Sequence, residues 1–126
     1  MKLNLLLVIN AIIAAVFGLA FILVPAWFLN LYGITLDPSL KYIGWLLGTA
    51  LLGDGVISWY ARNAGASEAG RAIVAGFFVC HISSFIAALI GQLGGVVNWL
   101  GWSTVAVYLL IAVGFGAFLI KRPATE

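Results

Sequence analysis

The chain has little charge. Six of its 126 residues are Lys or Arg and four are Asp or Glu, so charged residues make up 8% of the chain and apolar residues 64%. Soluble domains carry about 25% charged residues, and a short chain cannot cover this much apolar surface with its own core. The composition therefore predicts one integral membrane domain over residues 1–126, surrounded by lipid. A net charge of +2 without a basic cluster argues against nucleic acid as a partner.

Cysteine and histidine are equally scarce. Cys80 is the sole cysteine and His81 the sole histidine, so the sequence offers neither an internal disulfide nor zinc-type ligand spacing. It also lacks a glycine-rich phosphate loop and a nucleophile elbow. Asp54, His81 and Ser84 are the only candidates for acid–base or nucleophilic chemistry, and nothing beside them marks a substrate entry. We therefore predict a protein that is not an enzyme and carries no resident metal or cofactor.

Four apolar runs are long enough to cross a bilayer, which takes about 20 residues of helix. They cover residues 3–24, 40–60, 71–93 and 99–120. The first run resembles a signal peptide, but it continues unbroken to Val24, and we interpret it as a retained span. Short linkers between the runs predict an all-α bundle of four antiparallel transmembrane helices.

The linkers contain recognisable turn and cap residues. Residues 25–33 begin with proline and end with glycine, which predicts a short helix lying in the membrane interface. Asp37 and Pro38 are typical of the cap and first residue of the second span. Residues 94–95 are two glycines that predict a tight turn, and Pro123 is predicted to end the last helix.

The basic residues predict the orientation. Five of them fall on one side of the predicted bundle and only Lys41 on the other; the five are Lys2, Arg62, Arg71, Lys121 and Arg122. Because cytoplasmic loops are enriched in Lys and Arg, we expect both termini in the cytoplasm.

Small residues recur every four positions on three of the spans, and residues at this spacing share one helix face. Such faces let helices approach closely in lipid. The third span has the longest stripe, made of Ala72, Gly76, Cys80, Ser84 and Ala88. The second span has the pair Gly44 and Gly48, followed by Ala50, Asp54 and Ser58. The first span has Asn10, Ala14 and Gly18. We predict close packing inside the bundle, with a partner subunit or a second copy as the alternative for one stripe.

Asp54 is a carboxylate inside the second apolar run. Ionisable groups at such positions usually face a partner or a cavity. Helix rise places Asp54 about 9 Å, Asn10 about 10 Å and His81 about 15 Å from the same predicted surface, so the three are predicted to form a polar core. Three interpretations stay open: a structural hydrogen-bond centre, a proton or ion relay through Asp54 and His81, and a haem or chlorophyll-type pigment bound by His81.

The segment from Leu23 to Asn63 resembles a pattern in small, uncharacterised bacterial four-helix membrane proteins. The matching positions are Leu31, Tyr32, Gly33, Leu36, Asp37, Pro38, Gly48, Gly53, Trp59 and Arg62, with Lys41 near the start of the second span. The resemblance implies the four-helix topology and no activity. A glycine–leucine pair is more usual where this chain has Gly53 and Asp54, which makes Asp54 particular to this sequence.

The scarcity of candidate catalytic residues favours one function above the others. We predict a non-enzymatic accessory or structural subunit of a larger inner-membrane complex, in contact with the lipid bilayer and with other subunits or further copies of itself. The alternatives are a small proton-coupled transporter that uses Asp54 and a pigment- or haem-binding subunit that uses His81.

Overall fold

The computed structural model describes residues 2–121 and has five α-helices in that range. They are α1 (Leu3–Leu23), α2 (Pro25–Leu31), α3 (Pro38–Ala61), α4 (Glu68–Leu93) and α5 (Gly101–Ile120). All but α2 are long and apolar enough to cross a membrane. The predicted helical fold with four such helices is confirmed. Arg122 and Pro123, which entered the predictions of orientation and of the last helix end, lie outside the described residues.

Cap residues set the helix ends. Asp37 accepts a hydrogen bond from the Leu40 backbone N–H at 2.7 Å and Pro38 takes the first helical position, as predicted for α3. Ser67 does the same for α4 by accepting from Gly70 N–H at 3.0 Å. Because of that cap, α4 begins at Glu68, three residues before the predicted start. α5 begins two residues later than predicted, because the Asn98 side chain accepts from Leu100 N–H and holds a turn.

The long helices form two antiparallel pairs. α1 packs along α3, α4 packs along α5, and a smaller contact between α1 and α5 joins the pairs. Among the described helices, α3 and α4 share no extended contact although they are consecutive spanning helices, and they come together only in the cluster at one end of the bundle. The prediction that sequential spans pack antiparallel therefore describes α1 with α3 and α4 with α5, but not α3 with α4 along their length.

Glycine allows α1 and α3 to approach closely. A Cβ atom on Gly48 would lie 2.9 Å from the backbone oxygen of Gly18, and one on Gly55 would lie 3.2 Å from the backbone oxygen of Ala11. Gly44 is buried in the same interface, with Phe21 beside it. The stripes predicted on the first and second spans thus face each other.

The third small-residue stripe behaves differently. Ala72, Gly76 and Cys80 are exposed, and a Cβ atom on Gly76 would meet nothing within 4 Å. α4 instead packs through Val74, Phe77 and His81, which are buried. The prediction that this stripe lies tightly against another helix of the chain does not describe the fold, because large apolar side chains on the neighbouring face of α4 fill the core.

All four long helices meet at one end of the bundle. Leu6 and Leu7 from α1, the last residue of α3, the first turns of α4 and the last turns of α5 form one core cluster; its buried members are Leu6, Leu7, Ala61, Val74, Phe77, Ile111 and Phe115. Both ends of the chain that the structure describes and the α3–α4 turn lie at this end, which we call the inner end.

The opposite, outer end is closed by α2. Its Phe28 ring packs edge-on against Phe17 and Phe21 of α1, with centroids 5.3 and 5.0 Å apart. The loop before α5 then binds the end of α2, since the Asn98 side-chain amide donates to Leu31 O at 3.0 Å and Asn98 N–H donates to Tyr32 O at 3.0 Å. The two helix pairs are therefore joined at both ends.

We predict that Gly48→Ala destabilises the fold, because the added methyl group would press against the backbone of α1. Overpacking of this kind costs about 1–3 kcal/mol. Gly53→Ala on the same helix is the matched control, since a Cβ atom there meets nothing within 4 Å and alanine has the higher helix propensity. Unfolding of the purified chain by SDS titration measures both. Equal stability of the two variants would contradict the close α1–α3 contact.

Candidate functional site

A cavity of about 880 Å³ lies between the two helix pairs. It exists because the pairs are joined at their ends while α3 and α4 stand apart along their length. The cavity residues that are also exposed all belong to α3 and α4; they are Leu47, Ala50, Ile57, Gly76, Cys80 and Ala87. The cavity is therefore open sideways, through the gap between these two helices.

Most of the cavity wall is apolar. Rings and aliphatic chains from all five helices line it, including Phe17, Phe21, Phe28, Leu51, Ile73 and Ile111. Polar side chains are few and fall at two levels. Tyr32 and Thr104 lie near the outer end, where the Thr104 hydroxyl donates to the Tyr32 hydroxyl at 3.2 Å. The others lie next to the core cluster at the inner end.

Asn10, Asp54 and Ser58 form a hydrogen-bonded group at that inner level, which we call the polar trio. The Asn10 amide donates to Asp54 Oδ1 at 2.8 Å and to Ser58 Oγ at 2.7 Å, and the Ser58 hydroxyl donates to Asp54 Oδ1 at 3.2 Å. Asn10 and Ser58 are buried, whereas Asp54 is half-buried and reaches the cavity. The trio therefore uses three donor hydrogens. Two of them go to one carboxylate oxygen of Asp54, and the third goes to the Ser58 hydroxyl oxygen.

The trio results from the close α1–α3 contact. Gly55 lies against the backbone of α1 beside Ala11. This contact brings Asp54, which precedes Gly55 in the sequence, within hydrogen-bonding distance of Asn10. Ser58 lies one turn further along α3, at the spacing of four that puts it on the Asp54 face. The sequence had indicated Ser58 only as a member of a packing stripe; its spacing from Asp54 was the available signal for a hydrogen bond.

His81 faces the same cavity from α4. Its Nδ1 is 2.8 Å from the carbonyl oxygen of Phe77, which can only accept, so Nδ1 carries a proton and donates. The ring lies among Phe77, Tyr108 and Phe115, with centroids 5.7 to 6.3 Å away. In the part of the chain that the structure describes, His81 makes no direct bond to Asp54. All three residues of the predicted polar core line the cavity. Asn10 and Asp54 are hydrogen-bonded to each other, whereas His81 is not bonded to either of them.

Two acceptor atoms at the inner level have no hydrogen-bond donor among residues 2–121. They are Asp54 Oδ2 and, in the neutral ring, His81 Nε2, and neither is a fully buried atom. Cys80, Ser84 and Tyr108 add further polar atoms to the wall. Gly76 and Ala88 of the predicted stripe also line the cavity, whereas Ala72 lies outside it. This arrangement can hold a molecule that has an apolar body and a hydrogen-bonding group.

His81 suits an imidazole ligand to a metal in one respect, because Nδ1 donates to a backbone carbonyl while the residue lines the cavity. Within residues 2–121, no three His, Cys, Asp or Glu side chains come together as a cluster that could hold a metal ion.

Comparison with protein families matches residues 1–122 to a domain of unknown function, DUF8292. The match extends over all five helices. Comparisons with curated proteins and with solved structures found no match.

We predict that Ser58→Ala lowers stability by about 1 kcal/mol, since interhelical hydrogen bonds in membrane proteins contribute about 0.6 kcal/mol on average and up to about 1.7. The change removes the donor to Asp54 and the acceptor of Asn10. Ser83→Ala is the matched control, because Ser83 is exposed and its hydroxyl bonds only to its own helix. If SDS titration gives both variants the same free energy of unfolding, the trio does not join α1 to α3.

Proposed function

The chain belongs to the DUF8292 family, and we propose that it is a multi-pass membrane protein that binds an amphipathic small molecule rather than catalysing a reaction. The cavity between the helix pairs is the observation that carries this proposal. It lies within the range of about 300–1,000 Å³ typical of small-molecule sites, and it has the usual lining of apolar side chains with a few convergent polar groups.

The side opening supports a ligand that enters from lipid. The gap between α3 and α4 would admit an acyl chain or a similar apolar tail from the surrounding bilayer. The polar trio offers hydrogen-bond partners for a head group at the inner end of the cavity. An amphipathic molecule could therefore contact the apolar wall with its tail and the polar trio with its head group.

A role as an accessory subunit is the second candidate. It is favoured by the exposed small-residue face of α4, where Ala72 and Gly76 lie uncovered by the rest of the described chain. A helix of another subunit could approach this face closely. The two functions are compatible, since a partner on α4 would cover part of the opening. Isolation of the chain under native conditions, followed by identification of co-purifying proteins, tests this candidate.

The remaining alternatives have less support. Proton-coupled transport would need Asp54 and His81 to exchange protons, and the two share a cavity level without a direct bond. Pigment binding is tested by an absorption spectrum of the purified protein. Absorption in the visible range that is lost in His81→Ala would favour it. Both stay predictions.

The charge distribution supports the proposed orientation. Lys2, Arg62, Arg71 and Lys121 all lie at the inner end, and Lys41 lies at the outer end, where its Nζ sits 5.0 Å from the centre of the Trp45 ring. The positive-inside preference then puts the inner end, with both termini, in the cytoplasm of a bacterial cell.

We predict that Ala88→Phe reduces retention of bound amphiphiles, because its side chain lines the cavity and the added ring would fill part of it. Native mass spectrometry of the full chain purified in mild detergent measures retained molecules per protein. Ala106→Phe on the exposed face of α5 is the matched control and is expected to retain them. The absence of any bound amphiphile in the wild-type protein would contradict the proposal.

We also predict that a reporter fused after residue 126 stays cytoplasmic. A fluorescent protein that folds only in the cytoplasm should be bright in this fusion, and a phosphatase that is active only outside should be inactive there. Fusion of the same reporters within the α2–α3 loop, at residue 35, serves as the control and should reverse both signals. An active phosphatase at the C-terminal position would contradict the orientation.

A further inference from the structure

We propose that the molecule held by the cavity is an amphipathic cation, with a primary ammonium head group that pairs with Asp54. This inference rests on the proposed function and specifies its ligand class. It starts from the direction of the hydrogen bonds in the trio. Both donor hydrogens of the Asn10 amide and the Ser58 hydroxyl hydrogen are used within the trio. They leave Asp54 Oδ2 without a donor from residues 2–121, on a side chain that lines the cavity.

The second step is the charge of Asp54. No Lys, Arg or His nitrogen of residues 2–121 lies within 4.0 Å of its carboxylate. A carboxylate away from water is costly unless a cation or several donors compensate it. The trio supplies two donors to one oxygen and none to the other. A ligand ammonium would supply the missing charge and a donor at once.

Two basic residues of the described chain, Arg62 and Lys41, are held by other contacts. Arg62, the nearest along α3, donates to the Trp59 carbonyl and stacks on the Trp59 ring with its guanidinium carbon 3.9 Å from the ring centre. Lys41 lies over Trp45 at the outer end. The ionisable groups that face the cavity besides Asp54 are His81, Cys80, Tyr32 and Tyr108, and of these only His81 can become a cation. Its Nδ1 proton is directed to Phe77 O and is therefore engaged there.

The third step concerns the shape of the head group. His81 Nε2 is a second acceptor at the same level, and a primary ammonium has three N–H donors that can reach more than one acceptor. The rings of Phe77 and Tyr108 beside His81 also suit a cation, because aromatic faces attract positive charge. A quaternary ammonium would keep the charge and lose the hydrogen bonds. The apolar wall towards the outer end accommodates the tail.

Three probes with the same tail separate charge from hydrogen bonding: dodecylamine, dodecan-1-ol and dodecyltrimethylammonium. We expect the full chain, purified in a neutral detergent at pH 7, to bind dodecylamine at least about tenfold more tightly than dodecan-1-ol in native mass spectrometry titrations, since a cation–carboxylate pair in a sheltered site is worth that much or more. Dodecyltrimethylammonium should fall between the two.

Asp54→Asn should remove the preference for the amine and leave binding of the alcohol unchanged, since the side chain keeps its shape and its oxygen can still accept from Asn10. Thermal unfolding of this variant checks that it folds, and the comparison of probes on the wild-type protein stands without it. Equal affinity of wild-type protein for amine and alcohol would overturn this inference and leave the proposed function standing. Failure of all three probes to bind would overturn both.

Discussion

The hydrogen bonds between Asn10, Asp54 and Ser58 are the interaction on which the rest of the site depends. A carboxylate on a helix of spanning length needs polar partners, and Asp54 finds one on α1 and one on its own helix. The partner on α1, Asn10, is within reach because glycines bring the backbones of α1 and α3 together. Close packing of one helix pair thereby fixes the position of the charged group.

The same arrangement explains why a cavity persists beside the trio. Each helix pair is well packed within itself, and large side chains join the pairs at the inner end while α2 and the α4–α5 loop join them at the outer end. Between these ends, the faces of α3 and α4 carry small or short side chains such as Ala50, Gly76 and Ala87, which cannot reach across. The wall is mostly apolar, and its few polar side chains fall at two levels, with the trio at the inner one.

The helices and the cap of α3 could be predicted from the sequence because they depend on local patterns, whereas the Ser67 cap of α4 was missed. Apolar runs defined the long helices to within three residues, and Asp37 with Pro38 indicated the start of α3. The proximity of Asn10 and Asp54 also followed from helix rise and small-residue spacing. These features need only the geometry of single helices and one pair of matching faces.

The partners of α4 could not be predicted in the same way. Its small-residue stripe has the spacing of a packing face, yet the buried face carries Phe77 and His81, because packing against α5 and the core cluster buries more apolar surface. Which helices of a four-helix chain become neighbours depends on the sum of all contacts, and no single stripe encodes it. The cavity was missed for that reason, since it depends on α3 and α4 sharing no extended contact.

The most direct test of this account is a cryo-electron microscopy structure of the chain in lipid nanodiscs, with a rigid binding protein added for alignment. The account predicts that α3 and α4 stand apart and that elongated density fills the space between the helix pairs, with one end beside Asp54. A map in which α3 and α4 close on each other, or in which Asp54 points outward into lipid with no density next to it, would contradict it.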